Sequence, residues 1–119
     1  MIALIFIAAA AVAPESNVQI DAKSAAEVQQ AETEMDKQFQ LAISRLRNCT
    51  ANTVQCFYWN KAIPRLQREQ AAWKQWRDAK SDLDAVEMEG TSGETEVRNA
   101  IKVQMTKARS AELSKIGRQ

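Results

Sequence analysis

The apolar positions of this chain fall into three stretches of helical period. Val28, Ala31, Met35, Phe39, Ala42 and Leu46 recur at steps of three and four, and Ile43 widens the stripe. That is one face of an amphipathic helix. The spacing predicts a first helix over residues 24–48, opened by Ser24 and Glu27 in capping-box positions. Glu32, Asp36, Lys37 and Arg45 lie on its opposite, solvated side. A second helix centres on Gln70-Ala-Ala-Trp73-Lys-Gln-Trp76-Arg77-Asp78. Pro64 suits only a first helical turn, where its missing N–H is not needed, so this helix is expected to begin within residues 60–63 and run to about 87. Ile63, Leu66, Trp73, Trp76, Leu83 and Val86 form its inner line. Gln70 sits within that line and needs a hydrogen-bond partner; Arg77 lies beside both tryptophans, with Glu112 the candidate acid for its guanidinium.

Gly90-Thr91-Ser92-Gly93 is the clearest turn. Thr91 and Glu94 repeat the capping-box spacing, and Val97, Ile101, Met105, Ala108 and Leu113 carry a third helix to about residue 116, with Gly117 closing it. No segment alternates with period two. The reading is all-α: an antiparallel up-down-up three-helix bundle with short connections.

The ends and the first connection qualify that picture. Residues 1–13 are apolar throughout. As a helix they would reach about 20 Å, short of the ~30 Å hydrocarbon core, so no stable membrane span is expected. The run, closed by Ala11-Val12-Ala13, has the look of a secretory signal. No Lys or Arg precedes it, as a signal should have, and Pro14 disfavours a cut after Ala13, so that a cut after Ala11 is an alternative. The alternative is an N-terminal helix, mobile or docked on the core. Residues 1–13 are therefore expected to be a signal peptide, residues 14–23 a linker and residues 24–116 the helical domain, in a periplasmic or secreted protein. Residues 48–59 interrupt the pattern with Asn48, Thr50, Asn52 and Thr53. Cys49 and Cys56 bracket this connection and are expected to form a disulfide that pins it; two idle thiols are the alternative. Phe57, Tyr58 and Trp59 follow, expected to plug one end of the core, or else to form an exposed binding patch.

Composition mostly excludes. Formal net charge is +1 over 119 residues, and there is no His. The commonest general base and metal ligand are thus missing, and two Cys without His do not complete a zinc site. With no Gly-rich phosphate loop either, no enzyme activity, metal or cofactor is expected. The basic residues form no stripe with interleaved aromatics, so nucleic acid is not an expected partner. One local imbalance stands out: between Asp82 and Glu96 the chain carries acids but no Lys or Arg. Glu87, Glu89, Thr91, Ser92, Glu94 and Glu96 at this acidic tip are the candidate partner-binding residues.

Gln70-x-x-Trp73-x-x-Trp76-Arg77-Asp78 resembles the Q-x-x-W-x-x-[YW]-R-D segment of the LprI-type lysozyme inhibitor family. Thr106-Lys-Ala-Arg109-Ser-Ala-Glu112-Leu113 resembles its closing T-x-x-R-x-x-E-L segment, and Gly90-Thr-Ser-Gly93 stands at its glycine-rich turn. The similarity covers roughly residues 24–116. Members often carry one cysteine three residues after the R-D pair and another eight before the closing arginine. Here those positions are Ser81 and Ile101, which implies a lost cross-link between the second and third helices. The resemblance implies an exported helical protein-binding module, for some members an inhibitor of lysozyme. The alternative is a structural or assembly protein of the cell envelope acting through self-association.

Overall fold

The computed structural model describes residues 16–50 and 52–118. The expected signal peptide, residues 1–13, lies outside them. Among the described residues three α-helices and one 3-10 turn follow in order, with no strand: α1, Asn17–Arg47; α2, Thr53–Asp84; the turn, Val86–Met88; and α3, Glu94–Leu113. No described helix is long and apolar enough to cross a membrane.

Cross-helix pairs fix the topology. Asn99 donates to the Ser24 hydroxyl at 3.0 Å near the start of α1, while Arg45 near its end donates to the Leu113 and Ile116 carbonyls at 2.9 and 2.8 Å. α1 and α3 therefore run the same way. α2 runs against both: Arg77 meets Glu32 and Lys74 meets Asp36 on α1, while Asp82, Asp78 and Gln70 meet Arg98, Lys102 and Arg109 on α3. The up-down-up order is as the pattern predicted.

The α1 stripe is the core wall. Met35, Ala42, Ile43 and Leu46 pack with Leu66 of α2 and Leu113 of α3, and Phe39, Trp59, Ala62, Ile63, Trp73 and Ile116 close around them. Met35 and Leu113 are wholly buried; truncating such a side chain to Ala costs about 2–5 kcal/mol.

Helix boundaries depart from expectation, each for a local reason. α1 begins at Asn17, inside the expected linker, because Ser16 and Gln19 make the capping box. Ser24 is instead buried within the helix, its hydroxyl donating to the Asp21 carbonyl at 3.0 Å. α2 begins at Thr53, where Asn52 caps it by accepting from the Gln55 amide at 2.7 Å. Pro64 consequently lies about three turns inside the helix rather than in its first turn; its ring removes the amide that would bond back to Asn60. The Thr91–Glu94 box does not form either. Gly90, at φ 76°, turns the chain, the Thr91 hydroxyl donates to the Met88 carbonyl at 2.7 Å, and the Glu94 carboxylate accepts from the Gly90 amide at 3.2 Å. Gly93 opens α3 with no side-chain cap.

The inner line of α2 is rotated from the one the apolar pattern drew. Leu66, Gln70, Arg77 and Ser81 are buried, whereas Trp76, Leu83 and Val86 are 53%, 65% and 55% exposed. α3 behaves likewise: Thr106, Arg109 and Leu113 are buried while Ala108 is exposed. Polar side chains take the inner positions because Gln70, Arg77, Thr106 and Arg109 find partners across the bundle and Ser81 bonds back to its own helix.

Candidate functional site

Two regions bring the singled-out residues together. The first is interior. Arg77 is 4% exposed and bonds to all sides: to Glu32 of α1 at 2.6 Å, to its neighbour Asp78 at 3.0 Å, and to the Thr106 hydroxyl of α3 at 3.2 Å. One level along, Arg109, 6% exposed, donates to the Gln70 side-chain oxygen Oε1 at 2.9 Å, to Glu112 at 3.1 Å, and to Glu69. Both guanidinium carbons lie close to the Trp73 ring, at 5.6 and 5.7 Å from its centre, within range of the ring quadrupole. A buried guanidinium is tolerable only when its donors are spent and its charge balanced, and for each arginine two carboxylates, one neutral oxygen and the shared Trp73 ring supply that.

The expected Arg77–Glu112 pair is absent. The register of α3 sets Thr106 opposite Arg77, and Glu112 lies almost two turns further on, where it serves Arg109. Gln70 finds the partner its position demanded for its oxygen, while its amide nitrogen has none among the described residues. Of the motif residues, Gln70, Trp73, Arg77, Thr106, Arg109 and Leu113 face the interior, Asp78 and Glu112 hold the two arginines from the rim, and Trp76 points away. Glu32 and Glu69 are the counter-charges that sequence reasoning missed. Their signal is faint: each lies beside a buried stripe position, Ala31 and Gln70 respectively.

Ser81 is wholly buried, its hydroxyl donating to the Asp78 carbonyl. It sits between Asp78 and Asp82, whose partners Lys102 and Arg98 flank Ile101 on α3. The two positions that the family resemblance marks for a cross-link thus share one level of the bundle.

The end of α3 is held by Arg45, whose guanidinium occupies the last-turn carbonyls, where a helix end favours positive charge. Burial, and after it the Arg118 guanidinium, lower its pKa from the ordinary value. Gly117 turns the chain there at φ 74°; a Cβ on it would stand 3.0 Å from the Arg45 Cβ and 3.2 Å from the Leu46 nitrogen. At the same end of the bundle, Cys49 and Cys56 are joined with their Cα atoms 5.3 Å apart, linking the 48–52 connection to the first turn of α2. Of the aromatic trio after them, Trp59 packs on the core, while Phe57 and Tyr58 are more than half exposed, edge to face at 5.5 Å, with Lys61 over the Phe57 ring.

The second region is the acidic tip at the opposite end. Asp82, Asp84 and Glu94 are engaged by Arg98, Lys80 and Arg98 respectively. Glu87, Glu89 and Glu96 are exposed and have no ion pair among the described residues. Thr91 and Ser92 are exposed beside them, the Thr91 hydroxyl already donating within the turn. The tip is thus a fixed turn with Glu87 and Glu89 before it and Glu96 in the first turn of α3 after it, three carboxylates without an ion pair among the described residues.

The family model described as lysozyme inhibitor LprI matches residues 8–113. No curated protein and no solved structure matches the chain. The description makes this a family of inhibitors that act by binding a protein, and the chain belongs to the LprI lysozyme inhibitor family.

Proposed function

We propose that this LprI-family protein is an exported binding module that inhibits lysozyme, and that it meets the basic enzyme with the acidic tip. The observation that carries the placement is the trio Glu87, Glu89 and Glu96: surplus negative charge on either side of a turn whose backbone is fixed by Gly90 and by the Thr91 and Glu94 bonds, with Glu96 in the first turn of α3. Complementary fields of this kind speed encounter and set orientation. Ser92 adds an exposed hydroxyl. The interior arginines stay with the fold, since their donors are already spent on Glu32, Thr106, Gln70, Glu69 and Glu112.

The test is lysis of a cell-wall suspension by lysozyme with and without the oxidised protein. Inhibition that saturates near one protein per enzyme is expected. Undiminished lysis across lysozymes of different types would overturn the proposal. The second reading, a cell-envelope assembly protein acting by self-association, is favoured by the apolar residues exposed on α2.

A further inference from the structure

α2 turns a second ordered face to solvent. Ala72, Trp76, Ala79 and Leu83 are spaced four, three and four apart and are all exposed. That spacing is the a/d seam of a two-helix contact, here on the side away from α1 and α3. Large and small residues alternate along it. Earlier on the same face stand Lys61, Arg65 and Arg68, exposed and without an acidic partner among the described residues. Beyond its far end stand Glu87 and Glu89. The face is therefore basic before the seam and acidic after it.

We propose that this face docks a second copy of the chain, α2 against α2, antiparallel. A parallel pair would set like charges together; an antiparallel pair sets the basic half of each helix beside the acidic end of the other. The register follows from size. Trp76 lies over Ala79 of the second copy, Leu83 over Ala72, and Arg68 then comes level with Glu87. Each large side chain meets a small one, as close helix packing requires, and each end gains an ion pair. The seam spans about 17 Å, small against a standard interface, so the dimer is a weak one, with a dissociation constant on the order of micromolar. This inference does not rest on the lysozyme reading: the two share Glu87, and Glu89 and Glu96 remain for a partner at each end of the dimer.

Sedimentation equilibrium of the oxidised protein tests it, with circular dichroism to verify the fold of each variant. The wild type is expected to dimerise, and Leu83→Asp to weaken dimerisation at least tenfold. Arg68→Glu should weaken it as well, and the double variant Arg68→Glu/Glu87→Arg should recover it, because the pair is restored in both copies. A monomer at all concentrations up to about 1 mM, far above the expected constant, overturns the proposal and leaves the face to another partner. So does a dimer indifferent to Leu83→Asp, and failure of the double variant to recover overturns the antiparallel register.

Discussion

The Arg77 Nη2 and the Glu32 Oε1 lie 2.6 Å apart, joining the middle of α2 to α1. Because Arg77 also bonds Thr106 of α3, this one side chain ties all three helices. Arg77→Met keeps much of the volume but leaves Glu32 and Thr106 without their partner. It should lower stability by about 3 kcal/mol, toward the low end for a broken buried pair because Glu32 is partly solvated. Glu32→Gln should cost less than half as much. Urea titration measures both; a shift in Arg77→Met too small to resolve would place the stability elsewhere.

The Cys49–Cys56 bond closes a short loop. Replacing both with Ser should cost about 2.5 kcal/mol by the loop-entropy estimate. Thermal melts with and without reductant should show the same drop in the wild type and none in the double variant.

Ser81 and Ile101 share a level between α2 and α3. The double variant Ser81→Cys/Ile101→Cys is expected to oxidise spontaneously within one chain and to add about 3 kcal/mol. Mass spectrometry of the intact protein reads the bond, and a melt under reducing and oxidising conditions reads its contribution. A chain that remains a dithiol in air would show that the two positions do not face each other.

Gly117 is held at positive φ against the end of α1. Gly117→Ala must strain the backbone and push on Arg45 at once, so a loss of about 1–2 kcal/mol is expected. Gly90→Ala shares the backbone strain but meets open space, and should cost less. Comparing the two by denaturant titration separates conformational strain from contact.

Glu89 and Glu96 test the acidic tip without touching the proposed α2 seam. Glu89→Gln/Glu96→Gln should lower the melting temperature only slightly, since neither residue has an ion pair among the described residues and only Glu96 gives up a favourable charge in the first turn of α3. It should weaken lysozyme binding several-fold at low salt and flatten the salt dependence, read by calorimetric titration. Equal affinities across the salt range would move the contact away from the tip.

The fold was legible where apolar period and core agree. In α1 the expected stripe is the buried one, from Ala31 to Leu46. In α2 they disagree. Trp76, Leu83 and Val86 attract any pattern built on hydrophobicity, yet the interior takes Gln70, Arg77 and Ser81. A buried arginine becomes reasonable only when Glu32 and Thr106 are known to stand opposite, and their placement depends on the register of three helices at once. The helix starts were misread for a different reason. Ser24–Glu27 and Thr91–Glu94 have the capping spacing, but Ser16–Gln19 has it too, and Gly90 bends the chain before Thr91 can cap. The tip's acids were visible in the sequence, and so was the four-residue spacing of Lys80–Asp84 and Glu94–Arg98; that Arg98 also reaches Asp82 across to α2 was not, because it depends on how the two helices pack.

The parallel course of α1 and α3 has a kinetic consequence. Their joining bonds, Ser24 to Asn99 and Arg45 to Leu113, span 75 and 68 residues of chain. A helical hairpin between sequence neighbours can close early, but this interface waits until nearly the whole polypeptide is present. Folding should accordingly be slow for a helical protein of this size, since rates fall as contacts become more distant along the chain. A ribosome-bound chain would hold its first helix without the face it was shaped to meet.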